Sequence, residues 1–311
     1  MTLGITNSFT GTVAGSGGAL GPFTATWSPA PAGTSFTTGA YSGVDFTASA
    51  TFTISVGSRD IEYVVVAGGG NGSPVPSPPG GTIMGGGGGA GGFRSGTLSA
   101  LTPGPYSVTI GGAQNNSQFG PINSTAGGDG AGNGSDAGSG GSGGGGRGVA
   151  APVGPAPQKL GGSGNTPPFS PPQGNDGGDV GNSPFGVAGA AGGGGAGAVG
   201  SNGGNGTGAP LFVDGNGGPG GAGKSTTIKG PSITLAGGGG GGGELRGNGG
   251  SGGGGAGTGA TSPSSPISLA VAGTVNSGGG GGGGRYAPPG FSPRRNGAGG
   301  GSGRVIIRWL T

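Results

Sequence analysis

Alternation of apolar and polar positions is confined to a few short stretches of the chain. They lie at residues 23–27 (FTATW), 51–56 (TFTISV), 61–67 (IEYVVVA), 106–110 (YSVTI) and 304–310 (RVIIRWL). A period of two with many β-branched and aromatic residues predicts β-strands. We expect 51–56 and 61–67 to form a hairpin around Gly57 and Ser58. The closing stretch 304–310 should pair with the early strands, so that both ends of the chain form a small β base.

Glycine tracts fill most of the remaining chain. Runs of seven glycines lie at 237–243 and 278–284, and shorter runs recur at 85–89, 143–146, 192–195 and 252–255. Such tracts usually indicate flexible coil, because glycine loses the most backbone freedom on ordering. An ordered alternative is the polyproline II conformation, whose N–H and C=O groups point outwards and can bond to neighbouring chains where no Cβ intervenes. This alternative predicts a bundle of polyglycine II helices, with the seven-residue runs innermost and mixed runs such as 127–134 outside.

Composition agrees with a fold that has little side-chain core. The 311 residues include 98 glycines and 26 prolines, while hydrophobic residues make up 29% and charged residues 7%. We therefore expect a fold that is mostly irregular or β by standard assignment, with stacked polyglycine II helices on the small β base. No long stretch keeps glycine at every third residue, which argues against a collagen triple helix.

Glycine content also divides the chain into two predicted regions. Residues 1–49 are poor in glycine, and we interpret them as an N-terminal β attachment region. Residues 50–311 form the predicted glycine-rich polyglycine II domain, closed by the terminal strands. The candidate attachment residues are the aromatic ones of the first region, namely Phe23, Trp27, Phe36 and Tyr41.

The residue types that are missing limit the chemistry. The chain has no cysteine and no histidine, so disulfides, thiolate metal sites and the commonest general base are excluded. We expect no enzyme activity, no cofactor and no metal. The net charge of +3 comes from scattered basic residues and does not favour nucleic acid as a partner. We also expect neither a secretory signal nor membrane insertion, because no apolar run approaches the ~20 residues of a span.

Two local motifs have a chemical and a trivial interpretation. Residues 218–225 (GPGGAGKS) match the phosphate-binding P-loop pattern, which requires a preceding buried strand and a following helix. Neither is predicted here, so a chance match in a glycine-rich chain is the favoured explanation. Residues 176–179 (DGGD) offer two carboxylates to calcium, but supply too few of the ligands that calcium takes. A solvated turn is the favoured interpretation.

The segments that connect the glycine tracts are the candidate recognition loops. They vary in length and are rich in proline, as in residues 73–84, 149–185 and 285–296. Arginine and aromatic residues on a stiff backbone are typical of recognition surfaces. The candidate contact residues are Arg285, Tyr286, Phe291, Arg294 and Arg295, with Phe169 and Phe185 as further candidates. The alternative is that these aromatic side chains only cover the end of the bundle.

Several phrases of the sequence resemble a known family. These are YVVVAGGG at 63–70, GGGGGAGGFRSG at 85–96, YSVTIGG at 106–112 and GGGSGRVIIRWL at 299–310. Together with the repeated glycine blocks, they resemble the glycine-rich domains of bacteriophage tail-fibre proteins, including tip adhesins. The resemblance implies stacked layers of polyglycine II helices with variable distal loops that recognise bacterial surface receptors.

The resemblance also implies partners and a location. It implies a virion protein at a tail fibre or tail tip that is made in the host cytoplasm and released by lysis. The N-terminal region would join another fibre or tail protein, and the loops would bind a bacterial surface protein or glycan. The number of copies stays open, with a homotrimer on the fibre as one arrangement. Two other functions stay open: a purely structural tail or head component, and an ice-binding protein, which requires a flat, regularly spaced Thr or Ala face.

Overall fold

Strands and extended glycine segments make up the part of the chain that the structure describes. This computed structural model describes residues 7–11, 21–74, 82–132, 134–150, 160–180, 188–206, 215–259, 268–286 and 296–311. The helical structure in these ranges is one 3-10 turn, Ala30–Ala32. The β-rich fold without α-helices that the sequence predicts is thus confirmed for the described residues.

Two antiparallel sheets contain most of the strands, which we number in chain order. The first sheet has the order β1 (Asn7–Gly11), β2 (Phe23–Ser28), β5 (Ala50–Val56), β9 (Gly104–Thr109), β10 (Ser117–Phe119) and β11 (Ile122–Ser124). The second sheet has the order β3 (Gly33–Thr38), β4 (Tyr41–Phe46), β16 (Arg304–Leu310), β6 (Arg59–Val66) and β8 (Phe93–Leu101).

Two smaller sheets involve the glycine-rich part of the chain. One has the order β12 (Gly148–Ala150), β7 (Thr82–Met84) and β15 (Arg285–Tyr286), and the other is the hairpin of β13 (Lys224–Thr226) and β14 (Ile233–Leu235).

The two large sheets enclose an apolar core and form a sandwich. Alternate residues of β2, Phe23, Ala25 and Trp27, are buried, as the period of two requires. They pack in one cluster with side chains of the second sheet, such as Phe46 and Trp309. Aromatic rings contact each other across this core, with the ring centroids of Phe23 and Trp309 5.5 Å apart.

The pairing of the strands confirms one sequence prediction and overturns another. The closing strand β16 pairs with β6 and β4, so the two ends of the chain do meet. The predicted hairpin of 51–56 and 61–67 is wrong, because β5 pairs with β2 and β9 whereas β6 pairs with β16 and β8. The short turn at Gly57 carries the chain from one sheet to the other. At a φ of +79° a Cβ there would lie 2.2 Å from the carbonyl oxygen of Pro22.

The β part of the molecule is larger than the small base predicted from the sequence. Strands β2 and β4, from the region before residue 50, pair with β5 and β16 from the region after it, and β3 pairs with β4 at the edge of the second sheet. The predicted boundary at 49/50 lies in the loop between β4 and β5. Both large sheets therefore contain strands from each side of that boundary.

The second sheet packs its other face against the glycine-rich part. Val64, Val66 and Ile306 of this sheet form a second apolar cluster with Leu235 and Ala236, which immediately precede the first seven-glycine run. Strand β6 runs directly into residues 67–73, which are almost entirely buried. The sandwich is therefore one end of a continuous packed body.

The glycine body comprises the described residues of 67–74, 84–92, 125–148, 160–180, 188–206, 215–223, 236–259, 268–284 and 296–303. Backbone hydrogen bonds between segments distant in sequence hold it together. In 85–92, Gly85, Gly88 and Gly91 donate to 278–284, Gly86, Gly89 and Gly92 donate to 125–131, and Gly87 and Ala90 donate to 191–194. The N···O distances of these bonds are 2.8 to 3.0 Å. Successive backbone N–H groups thus point to three different neighbours in turn, and every third N–H points to the same neighbour.

The approach of these backbones leaves no room for side chains. A Cβ built on Gly88 would lie 2.2 Å from the carbonyl oxygen of Gly70, and one on Gly239 would lie 2.0 Å from that of Gly281. Both seven-glycine runs, 237–243 and 278–284, are buried throughout. The run at 252–255 differs, because Gly252 and Gly253 form a turn with positive φ.

We predict that one added methyl group inside the glycine body is severely destabilising. Gly88→Ala should lower the free energy of unfolding by more than about 4 kcal/mol or prevent folding, because backbone atoms must move apart to admit the Cβ. Urea unfolding followed by circular dichroism measures this change.

The matched control is Gly299→Ala at the surface of the same body. There a Cβ would meet Asn71 Oδ1 at 3.6 Å, an ordinary contact distance. This variant should change stability by less than about 1 kcal/mol. Equal losses in the two variants would contradict close backbone packing as the source of stability.

Candidate functional site

The glycine body has two distinct ends. Its segments leave the sandwich after β6 and return to it before β8 and β16. Ser73, Gly85 and Gly284 meet through backbone hydrogen bonds at the opposite end, which we call the far end. The sheet of β7, β12 and β15 lies there, since Met84 pairs with both Gly148 and Arg285.

Several connecting segments leave the body at the far end. Bridges join Ala188 to Asn205, Gly243 to Gly259, and Gly259 to Ser268 at this end. These residues flank 181–187, 207–214 and 260–267, just as β7, β12 and β15 flank 75–81, 151–159 and 287–295. The described residues that flank six unequal connecting segments therefore lie at one end of the body. The prediction of a single recognition loop over 149–185 is wrong for 160–180, because these residues bond to the glycine segments, as Gly162 does to Gly144.

The structure places two of the predicted contact residues at the far end. Arg285 is half-buried in β15, and the backbone of Tyr286 pairs with Ile83. Phe185, Phe291, Arg294 and Arg295 lie outside the described residues. Arg147, which sequence reasoning did not select, precedes β12, and burial lowers the pKa of its guanidinium.

Phe169 lies at the other end of the molecule, beside the sandwich. The guanidinium carbon of Arg94 in β8 lies 4.0 Å from the centroid of the Phe169 ring. Arg94 also donates a hydrogen bond to the carbonyl of Asn123. A cation stacked on an aromatic face in this way stabilises the contact by about 0.5–1 kcal/mol at an exposed site. Phe169 and Arg285 therefore belong to different surfaces, separated by the length of the glycine body.

Two polar residues fix the loop that carries Phe169. Asn165 Oδ1 accepts hydrogen bonds from the backbone N–H groups of Phe169 and Gln173. The Gln173 side chain is fully buried, and its amide bonds to the backbone N–H and the hydroxyl of Thr125 and to the carbonyl of Pro167. This loop is thus anchored at both ends, with Thr166 and the prolines exposed between them.

The candidate attachment residues separate into two pairs. Phe23 and Trp27 are 5% and 3% exposed and pack in the sandwich core, so their side chains do not form an outer surface. Phe36 and Tyr41 are half-buried on the other face of the second sheet. Each carries a cation over its ring, Lys229 at 5.6 Å from the Phe36 centroid and Arg308 at 4.3 Å from that of Tyr41.

An ion cluster lies beside these rings and joins the hairpin of β13 and β14 to the sandwich. Lys229 Nζ lies 2.6 Å from Asp45 Oδ2, and Arg304 donates to both carboxylate oxygens of Asp45. Burial alone would raise the pKa of Asp45. The hydrogen bonds and charges of Arg304 and Lys229 outweigh burial, so the pKa lies below its ordinary value of 3.8. In a nearby pair, Arg308 and Glu62, the carboxylate side chain is more exposed than that of Asp45.

The two local motifs have structural roles. The P-loop pattern ends in β13, which pairs with β14 and is not followed by a helix, so it is not a phosphate-binding loop. In DGGD, Asp176 and Asp179 accept hydrogen bonds from the backbone N–H groups of Gly164 and Gly161 at 2.7 and 2.8 Å. Carboxylates three residues apart match N–H groups three residues apart on the adjacent segment.

The described ranges contain no group of three or more His, Cys, Asp or Glu that could hold a metal ion. The same ranges contain no helix long and apolar enough to cross a membrane.

The Asp45 cluster predicts a specific dependence of stability on pH. Because the folded-state pKa of Asp45 is depressed, its contribution is complete above the unfolded-state pKa of about 4 and is lost as the pH falls through the folded value. Asp45→Asn should cost roughly 2–3 kcal/mol at pH 7, since two cations lose their buried partner. Urea unfolding of both proteins between pH 7 and pH 3 should show the difference shrinking in acid.

Glu62→Gln is the matched control for this experiment. Its side chain is 35% exposed, so loss of its pair with Arg308 should cost less than about 1 kcal/mol. A loss for Asp45→Asn no greater than for Glu62→Gln, or one that grows in acid, would contradict the role of the cluster.

Comparison with known proteins identifies the family of the chain. A family model described as "Glycine-rich domain" matches residues 44–310, which covers the glycine body and the strands from β5 to β16. No curated protein and no solved structure matches the chain. The match extends over more than half of the sequence, and the chain therefore belongs to the glycine-rich domain family.

Proposed function

We propose that the glycine body is a stack of polyglycine II helices. The donor pattern of 85–92 supports this proposal, because a helix with three residues per turn presents every third N–H in the same direction. Residues 237–244 follow the same rule. Gly237, Gly240 and Gly243 donate to 252–258, Gly238, Gly241 and Glu244 donate to 215–221, and Gly239 and Gly242 donate to 85–88.

The numbers of bonded neighbours support a layered arrangement. The segment 85–92 exchanges backbone hydrogen bonds with 67–73, 125–131, 142–145, 191–194, 239–242 and 278–284. The segment 253–259, by contrast, bonds with 237–243, 247–250, 268–274 and 280–283. A segment surrounded on all sides must be free of side chains, whereas an outer one can carry them on its free side. The buried seven-glycine runs and the mixed outer segments fit this requirement.

We further propose that this chain is a non-catalytic receptor-binding adhesin at the tip of a bacteriophage tail fibre. The observation that carries the proposal is that the described residues flanking six connecting segments of unequal length lie at the far end, opposite the sandwich. A rigid body that presents several variable segments at one end is suited to recognition of a surface. The ligand class is a bacterial surface protein or glycan, and the location is the virion.

In this proposal, the sandwich faces the fibre. Phe36 and Tyr41, with their stacked cations Lys229 and Arg308, are the candidate contacts to another fibre or tail protein. The far end then points away from the particle. Phe169 and Arg94 lie on the sandwich side, and belong with this attachment surface rather than with the receptor surface.

The outer segments do not favour ice binding. Every third residue of three outer segments is exposed: Val199, Asn202 and Asn205, then Asn216, Pro219 and Ala222, then Leu245, Asn248 and Ser251. This face is regular but mixed, and it lacks the repeated Thr or Ala that ice binding requires.

The adhesin function is tested by binding of the purified, labelled chain to a broad panel of bacterial strains, measured by flow cytometry. We expect binding to a restricted set of strains. Replacing residues 287–295 with a Gly-Ser segment of equal length should weaken that binding at least about tenfold, if this segment carries contact residues of the hot-spot type.

The control variant is Val199→Ser, which changes a 62% exposed side chain near the sandwich end. It should bind like the unaltered chain, and unfolding curves establish that both variants are folded. Absence of binding to every strain, or binding that survives replacement of each far-end segment, would overturn the adhesin function. A purely structural virion component would give that result.

A further inference from the structure

Four Asn-Gly pairs lie on the outer face, and those at Asn202 and Asn216 bond to the neighbouring segment in the same way. Asn202 Oδ1 accepts a hydrogen bond from the N–H of Asp179, and Gly203 N–H donates to the carbonyl of the same residue at 3.0 Å. Asn216 Oδ1 accepts from the N–H of Leu245, and Gly217 N–H donates to the Leu245 carbonyl at 2.8 Å. In both of these pairs, the asparagine oxygen and the glycine N–H are occupied.

The pair Asn248-Gly249 is not held in this way, and the pair Asn205-Gly206 borders residues 207–214, which the structure does not describe. Asn248 is exposed, as are Asn202 and Asn216, but its side chain makes no hydrogen bond to a residue that the structure describes. The N–H of Gly249 likewise donates to no described residue, although Gly247 and Gly250 on either side bond to Gly241 and Gly238. The pairs at Asn202, Asn216 and Asn248 thus share sequence and exposure, and differ in the bonds of the two groups that can react.

We propose that Asn248 is a site of spontaneous covalent modification through a succinimide. The nitrogen of Gly249 attacks Cγ of Asn248 and loses its proton, the C–N bond to the side-chain amide breaks, and ammonia leaves. Water then opens the ring at either carbonyl and yields aspartate or isoaspartate. No oxidant or catalyst is needed, and glycine imposes no side chain on the attacking nitrogen.

The hydrogen bonds of the pairs at Asn202 and Asn216 protect them. The reaction requires the side-chain Cγ of asparagine and the backbone nitrogen of glycine to approach each other. Both hydrogen bonds, that of the asparagine oxygen and that of the glycine N–H, must therefore break first. Asn248 needs no such opening. Its conversion to isoaspartate adds a methylene to the main chain between Gly247 and Gly250, which disturbs the three-residue spacing of their bonds to 236–243.

The proposal is tested by incubating the folded protein at mildly alkaline pH and mapping its peptides by mass spectrometry over time. We expect conversion at Asn248 to be roughly tenfold faster than at Asn202 and Asn216, because breaking two hydrogen bonds lowers the reactive population by at least that factor. Isoaspartate is identified by its separate elution from aspartate and its reaction with an isoaspartyl methyltransferase.

The same protein unfolded in urea is the control, where the three sites should react at similar rates because each is an Asn followed by Gly. Equal rates at the three sites in the folded protein would overturn the proposal. Slower conversion at Asn248 than at Asn202 or Asn216 would also overturn it.

Discussion

The fold depends on hydrogen bonds between backbones that approach too closely for any side chain. In ordinary domains, side chains fill the space between elements and backbone bonds stay within a helix or sheet. Here the carbonyl of Gly70 would lie 2.2 Å from a Cβ at Gly88, so backbone atoms themselves fill the interior. The high glycine content, which favours disorder in an isolated chain, is then the condition for dense packing.

The sandwich supplies what the glycine body lacks. Apolar side chains such as Phe46, Val65 and Ile307 give it a conventional core, and Val64, Val66 and Ile306 extend a second cluster into the first glycine segments. The strands fix the start and finish of several glycine segments, which have no side chains to set their own register. Polar side chains at the margin of the body, such as Asp176 and Asp179, complete the network where a neighbouring segment ends.

Sequence reasoning identified the elements better than their partners. The period of two located β2, β5, β6, β9 and β16, and the glycine runs located the buried segments. The hairpin prediction was wrong because a short turn allows either local pairing or a crossing between sheets, and only distant strands decide between them. The ion pair of Asp45 with Lys229 joins residues 184 positions apart and leaves no local pattern.

The candidate surfaces show the same limit. Arg285 and Phe169 have similar sequence surroundings, with aromatic residues between prolines, yet they lie at opposite ends of the body. Their positions follow from the direction in which each glycine segment runs, which composition does not encode. The Asn-Gly dipeptides can be read directly from the sequence. The difference in hydrogen bonding between Asn248 and Asn216 depends on which segment lies alongside.

Every third backbone N–H of a glycine segment bonds to the same neighbouring segment, and this limits how the length of the segment can change. One residue inserted within 85–92 would rotate every following N–H by about a third of a turn and point it at the wrong neighbour. Insertions and deletions inside a segment are thus compatible with the network only in multiples of three. We therefore expect length variation in this family to accumulate outside the glycine segments, between the residues that end them at the far end.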